Sequence, residues 1–478
     1  MRIIPMYTWA KGVRNITLGQ RKFMNQPWAS GALLLLCVFI AMLLANLPAT
    51  KEIYHHLLET RLSINIQTPT DATGGHQLNW IFPKDMTVEK FINDILMVEF
   101  FFTVGLEIKR EVLFGELSTI KKALLPVIAA AGGMLVPALI YTLFNIGTAA
   151  SGGWGIPTAT DIAFAVGIMS FLGNRVPVSL KIFLKALAIA DDLGAILVVA
   201  IFYGESVNIA FLSLALLVLS AVFIMNKLGE KRIMFYLIPA AIVWSLFYYS
   251  GIHATMSGVV MAFMIPMDAR YSQAYFFRRN KEYIRRINGY EAINAEGKTE
   301  FPNAHQRHCL RRMSKISSGS IGMSYRLEHA LTPWVNFLIM PIFALANAGV
   351  EIPDVSYFNF FQYSAELGSV GMGIFFGLLL GKPLGITLAS FMAIKYKIGE
   401  MPTQSDWGKL FAVACLGGIG FTMSIFIDTL SFGEQPVEIT EHLRAVGKIA
   451  ILAASLCAGL LGSLLIALFN QKAKKQRV

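Results

Sequence analysis

The sequence LKIFLKALAIADDLGAILVVAIFY, residues 180–203, is apolar for most of its length but carries two adjacent carboxylates, Asp191 and Asp192, at its centre. A carboxylate at the centre of a membrane span costs roughly 2.5–3.5 kcal/mol, so two in succession require water, a partner charge or a bound ion to compensate them. Neighbouring residues on a helix point about 100° apart. One carboxylate can therefore face an ion while the other faces a counter-charge.

The composition is typical of a membrane protein. Hydrophobic residues make up 55% of the chain and charged residues 15%, and the mean hydropathy is +0.57, against roughly 45–50% apolar and 25% charged residues in soluble domains. The four cysteines lie far apart, so neither a disulfide framework nor a zinc site is indicated. The net charge of +11 lies mostly in connections between apolar segments. We therefore expect no nucleic-acid partner.

Twelve apolar segments predict an all-α polytopic membrane protein. They cover residues 31–47, 91–115, 123–144, 154–172, 180–203, 208–225, 234–249, 251–267, 334–350, 367–394, 410–427 and 449–469. The first segment is long for a signal peptide and no convincing cleavage site follows it, so we interpret it as an uncleaved helix.

Lys and Arg concentrate in alternate connections, which predicts the orientation. With the amino terminus inside, every even-numbered connection is basic, so both termini are expected in the cytoplasm. The predicted division is a basic cytoplasmic amino terminus (1–29), spans one to eight (30–267), a basic cytoplasmic insert (268–328), spans nine to twelve (329–469) and a basic cytoplasmic tail (470–478).

The insert contains twelve Lys and Arg residues and six acidic ones. Attraction to anionic lipid headgroups explains this charge, and we favour it over a regulatory role. We expect the insert to be partly disordered or bound to the membrane surface. His305, His308 and Cys309 have spacing that weakly suggests a metal site, but no fourth ligand follows, so we expect no metal there.

Two predicted spans contain residues that interrupt a helix. The fourth contains GIPTATDIAFAVG (155–167), with Pro157, Thr160 and Asp161, and the eleventh contains CLGGIGFTMSIF (415–426). Proline removes a backbone donor and disfavours helix in the residue before it. Broken spans at matching positions of two halves are typical of an inverted-repeat transporter. Close packing of small residues explains the glycines but not Asp161.

The tenth span contains one charge, Lys382 in LLLGKPLGITL (378–388). At roughly 3 kcal/mol apiece, this lysine and the three aspartates of spans four and five would cost on the order of 12 kcal/mol unpaired. A salt bridge would account for the lysine and one aspartate and would leave two carboxylates over. Since a proton and a metal ion compete for carboxylate oxygens, this excess predicts cation/proton exchange.

The chain resembles the NhaA-type sodium/proton antiporters along nearly its whole length apart from the insert. The segments that carry the resemblance are NDILMVEFFFTVGLEIKRE, TATDIAFAVG, LKALAIADDLGAI, SGIHATMSGV, RLEHAL, PIFALANAGV, GKPLGI and GGIGFTMSIF. It implies inverted repeats of spans three to five and ten to twelve, with crossing broken helices in spans four and eleven, a feature for which this family is itself a known example. It also implies a bacterial inner-membrane location and electrogenic, pH-regulated exchange of sodium or lithium for about two protons, in sodium and pH homeostasis, without a cofactor.

The resemblance also implies roles for individual residues. Asp192 resembles the principal, transient Na⁺ or Li⁺ ligand, and Asp191 resembles the second carboxylate, paired with Lys382 in the empty site. Thr160 and Asp161 would lie at the unwound crossing and belong, with Lys382, to the cation- and proton-binding site.

Four outlying residues are candidates for pH sensing. Glu107, Glu111 and Glu328 resemble the family's cytoplasmic cluster, and His253 is a further candidate. Pairing at a helix end is an equal alternative for Glu107 and Glu111.

Two other interpretations remain open at this point. A sodium-coupled solute symporter would require a larger midplane pocket. An intramembrane aspartyl protease would need two carboxylates that share a proton; Asp161 and Asp191 could do so, but a GxGD signature is absent and Lys382 opposes the sharing. Glu99 and Lys185 also lie inside predicted spans, where a buried pair would explain them, although at different depths. The oligomeric state is open, and a homodimer is compatible with the sequence.

Overall fold

The computed structural model describes residues 26, 28–62, 86–204, 207–288, 304–352, 361–364, 367–432 and 435–475. Within these residues the regular structure is helical, and two isolated bridges, Arg61 with Thr87 and Ser364 with Gly368, are the β pairings. The predicted all-α polytopic fold is confirmed. Most of the predicted amino terminus, the end of the tail and residues 289–303 of the insert lie outside the described residues.

The described residues form a succession of helices along the chain. They are α1 Ala29–Asn46, α2 Lys51–Glu59, α3 Met97–Phe114, α4 Ile120–Asn145, a 3₁₀ helix Ala149–Thr158, α5 Ile162–Phe171, α6 Val178–Phe202, α7 Ile209–Lys227, α8 Met234–Ser250, α9 Met256–Met264, α10 Gln273–Asn288, α11 Ala304–Gly319, α12 Met323–Asn347, α13 Val370–Lys395, α14 Trp407–Gly417, α15 Phe421–Leu430 and α16 Val437–Lys475.

Each predicted span coincides with a helix or with a bent pair of helices. In the described part of the chain, six helices are long and apolar enough to cross a membrane, or eight spans if each bent pair counts as one. Helices α8 and α9 are shorter, and α6 carries more charge. Helix α12 begins at Met323, before the predicted start of span nine at residue 334, so it includes Glu328.

Helices α4 and α13 form the central contact of the bundle. Their backbones meet at Gly132 and Gly385, where a Cβ on either glycine would collide with the carbonyl oxygen of the other. Close approach of this kind is the usual role of small residues between membrane helices. This close approach packs span three against span ten. The two bent spans pack against these two helices.

The predicted interruptions of spans four and eleven are confirmed. The 3₁₀ helix Ala149–Thr158, which contains Pro157, bends by 42° into α5, and α14 bends by 45° into α15 at the glycine-rich break 418–420. A π-helical turn, Gly377–Gly381, interrupts span ten directly before Lys382. Such turns occur frequently at functional sites.

The described part of the insert forms two basic helices, α10 and α11, which pack against each other, and its last residues, 323–328, begin α12. The backbone amides of Arg270 and Tyr271 donate to the carbonyl oxygen of Gly319 at 2.7 and 3.1 Å, so the two ends of the insert meet at the bundle. Among the described residues, no cluster of three or more His, Cys, Asp or Glu side chains could hold a resident metal ion.

Candidate ion-binding site

The two broken spans contact each other directly at their interruptions. The amide of Asp161 donates to the carbonyl oxygen of Ile419 at 2.7 Å, and Ser424 Oγ donates to the carbonyl oxygen of Ile156 at 2.8 Å. A helix break in an apolar bundle leaves backbone groups without partners, and such groups are costly. Each of the two spans therefore forms hydrogen bonds with backbone groups that the break in the other leaves unpaired.

Asp161 lies at the amino-terminal ends of two half-helices. Its Oδ1 accepts a hydrogen bond from the amide of Phe164 at 3.1 Å, and its Oδ2 accepts from the hydroxyl and the amide of Thr422 at 2.5 and 3.2 Å. A carboxylate here offsets the partial positive charge of both helix ends, α5 and α15. Both oxygens of Asp161 accept hydrogen bonds. The structure therefore favours helix capping by this residue over direct binding of an ion.

Lys382 forms a fully buried ion pair with Asp191. Its ammonium donates to Asp191 Oδ2 and to Thr160 Oγ1, the latter at 2.7 Å, and both partners of the ion pair are completely buried. Thr160 in turn donates to the carbonyl oxygen of Gly417 at 2.8 Å. The structure thus brings together Thr160, Asp191 and Lys382 beside the helix crossing.

Asp192 lies next to this pair without a partner of its own. It is 3% exposed, its Oδ1 accepts no hydrogen bond, and it has no ion pair among the described residues. Asp191 Oδ1 is likewise without a donor. Asp191 and Asp192 therefore share the one ammonium of Lys382, and among the described residues the Oδ1 atoms of both remain free to bind a proton or a cation.

The predicted pH-sensing carboxylates lie together around one arginine. Guanidinium nitrogens of Arg110 lie 3.7 Å from a carboxylate oxygen of Glu107, 3.2 Å from one of Glu111 and 3.0 Å from one of Glu328. His253 lies elsewhere, with its Nε2 against the carbonyl oxygen of Tyr203. The structure therefore brings three of the four candidates together and places the fourth apart.

The hypothesis of a Glu99–Lys185 pair finds no support in the structure. Lys185 lies 3.3 Å from Glu107, not beside Glu99, whose carbonyl accepts a hydrogen bond from Thr103. Spacing along the chain showed that both residues were unusual, but the partner depends on how α3 and α6 are rotated about their axes.

One buried acid, Asp428 on α15, was not predicted from the sequence. It is fully buried, neither of its oxygens accepts a hydrogen bond from the described residues, and Arg444 and Lys448 of α16 interact with it electrostatically. The signal was present, because an aspartate follows the apolar stretch FTMSIFI. A Cβ on Gly447 would lie 2.5 Å from its Oδ1, so this glycine leaves the space that the carboxylate fills.

The Lys382–Asp191 pair predicts a strong stability coupling. Lys382→Met should lower the free energy of unfolding by about 3–5 kcal/mol, because Asp191 stays buried without its counter-charge. Adding Asp191→Asn should recover most of that loss. Denaturant unfolding of the purified protein measures both, and Lys395→Met at the exposed end of the same helix is the control. Losses that simply add would contradict the pairing.

Comparison with known proteins identifies the family of this chain. The family described as Na⁺/H⁺ antiporter 1 matches residues 21–466. The Na⁺/H⁺ antiporter NhaA of Wolinella succinogenes is 40% identical over 98% of this chain and 97% of its own length. The protein of the same name from Pelagibacter ubique is 38% identical over 96% of this chain and 100% of its own length. The chain therefore belongs to the Na⁺/H⁺ antiporter 1 family.

Proposed function

We propose that the protein is an electrogenic, pH-regulated antiporter that expels Na⁺ or Li⁺ in exchange for about two imported protons, and so serves sodium and pH homeostasis. Membership of the Na⁺/H⁺ antiporter 1 family supports sodium/proton exchange. The preference for Na⁺ or Li⁺, the ratio of two protons to one cation and the regulation by pH are part of the proposal.

The observation that carries the proposal is the unpartnered Asp192 beside the Asp191–Lys382 pair. A buried carboxylate without a counter-charge is costly, and either a proton or an alkali cation removes that cost. The two cannot occupy the same oxygen at once. Asp192 is thus the proposed principal ligand of the cation, and Asp191 the second carboxylate, with Thr160 and Asp161 shaping the crossing.

Exchange of two protons for one sodium ion moves one net charge in each cycle. A membrane potential then contributes about 2.3 kcal/mol per 100 mV to the cycle. Asp192 carries one proton in this scheme, and the coupled pair of Asp191 and Lys382 carries the other. Strongly interacting groups titrate as a unit, so the second proton belongs to the pair.

The proposed location is the inner membrane of a bacterium, with both termini in the cytoplasm. The basic even-numbered connections support this orientation. The insert would then lie on the cytoplasmic face, where the arginines of α10 and α11 can attract anionic lipid headgroups. A homodimer is compatible with this arrangement.

Neutralising the principal ligand tests the site. Asp192→Asn should reduce sodium-driven proton flux to background, because an amide neither releases a proton nor supplies a full negative charge. Dye-reported proton flux in inverted vesicles, on addition of Na⁺, Li⁺ or K⁺ and without any organic solute, measures this. Asp428→Asn, which neutralises another buried carboxylate eight residues beyond the break at 418–420, is the matched control and should keep exchange. Near-normal flux in Asp192→Asn would refute the assignment.

We also propose that the cluster of Glu107, Glu111, Glu328 and Arg110 regulates exchange by pH. Arg110 pairs with all three carboxylates, so removing one leaves more of its charge for the other two. That change strengthens the attraction between Arg110 and each of the two remaining carboxylates.

Glu328→Gln should therefore move the pH at which exchange switches on to more acidic values, by about half to one unit. The measurement is the pH profile of exchange at saturating sodium. Glu282→Gln on α10, which removes a paired but distant carboxylate, should leave the profile in place. A profile unchanged by Glu328→Gln would leave the cluster a structural role only.

A further inference from the structure

A second lysine lies on the same face of α6 as the proposed cation ligand. Lys185 precedes Asp192 by seven residues, which is close to two helical turns, so the two side chains point in nearly the same direction about 10 Å apart along the axis. A lysine within a membrane span is costly and needs a reason. The pattern of its contacts supplies one.

Lys185 forms an ion pair with Glu107 of the neighbouring helix α3. Its Nζ lies 3.3 Å from Glu107 Oε1, and Glu107 in turn interacts electrostatically with Asp192. The side chain of Lys185 is 44% exposed and that of Glu107 28%, whereas Asp192 is 3% exposed. The ion pair is therefore far more exposed than the buried ligand two turns further along α6.

The charges around Glu107 show what Lys185 changes. Among the described residues, Glu107, Glu111 and Glu328 form ion pairs with Arg110 and Lys185. His329 also acts on Glu328 electrostatically. The nearby Lys109 is engaged elsewhere, because its ammonium donates to the carbonyl oxygens of Phe263 and Ile265 at 2.7 and 2.5 Å. Removing Lys185 would therefore add one net negative charge to the cluster and leave Arg110, 3.7 Å away, as the remaining ion-pair partner of Glu107 Oε1.

We propose that the ammonium of Lys185 pairs with Glu107 until an entering sodium ion displaces it. Lys185 thereby sets the sodium concentration at which transport is half-saturated. The ammonium and the alkali ion compete for the same carboxylate because both are positive. Lys185 is a positioning residue, since it acts on the ion through Glu107 and does not touch Asp192. This inference rests on the proposed sodium/proton exchange.

Replacing the lysine with an uncharged residue of similar length tests the inference. In inverted vesicles at an alkaline pH, where the carboxylates are ionised, Lys185→Met should lower the KM for sodium about two- to tenfold, since one repelling charge is lost. The kcat should change far less than the KM. Lys185→Arg keeps the charge and should keep the wild-type KM. A purely structural ion pair would instead give Lys185→Met a lower yield or kcat, with no gain in affinity.

Two further variants make the outcome decisive. In a Glu107→Gln background, Lys185→Met should no longer lower the KM, because the carboxylate for which the two cations compete is gone. Lys181→Met removes a lysine one turn earlier on α6, whose Nζ donates to the carbonyl oxygen of Gly173 at 2.8 Å, and should leave the KM unchanged. An unchanged or raised KM in Lys185→Met, or an equal fall without Glu107, would overturn the inference. Absence of exchange in the wild-type protein would instead overturn the proposed function.

Discussion

Burial of charge is the constraint on which the rest of this structure depends. Asp161, Asp191 and Lys382 are almost completely removed from solvent in a bundle whose walls are apolar. Burial of each charge alone would cost free energy. An ion pair offsets that cost only when its remaining hydrogen-bonding positions are also satisfied. Lys382 meets this condition through Asp191 and Thr160. Asp192 does not, and it is the residue to which the proposed chemistry is assigned.

The broken spans follow from the same constraint. An intact helix would use its own backbone groups and offer none to a buried side chain. The interruptions in spans four and eleven free amides and carbonyls, and Thr160 and Asp161 bind them across the crossing. Asp161 joins the starts of two half-helices, so its negative charge is compensated by helix ends rather than by a lysine. That arrangement leaves the single ammonium to Asp191.

Apolar length, proline and glycine made much of the fold predictable. The twelve spans and the two interruptions coincide with helices and bends in the structure, because hydropathy and backbone chemistry act locally along the chain. The start of α12 at Met323 was not predicted, since its first turns are polar and resemble the end of the insert. The π-helical turn before Lys382, which packs against α4, was not predicted either.

At the site, residue types were predictable but partners were less so. The resemblance identified Asp191 and Lys382 as a pair and grouped the glutamates, and the geometry agrees with both. Sequence position reports depth in the membrane but not the direction in which a side chain points. For that reason the sequence suggested Glu99 as the partner of Lys185, whereas in the structure Lys185 pairs with Glu107.

The central claim is that carboxylates inside the bundle hold protons and an alkali cation in turn. The most direct measurement is proton release from the purified protein in weakly buffered detergent solution when sodium chloride is added over a range of pH. The account predicts that sodium releases protons within part of that range and that the same concentration of choline chloride does not. No release by sodium at any pH would contradict it.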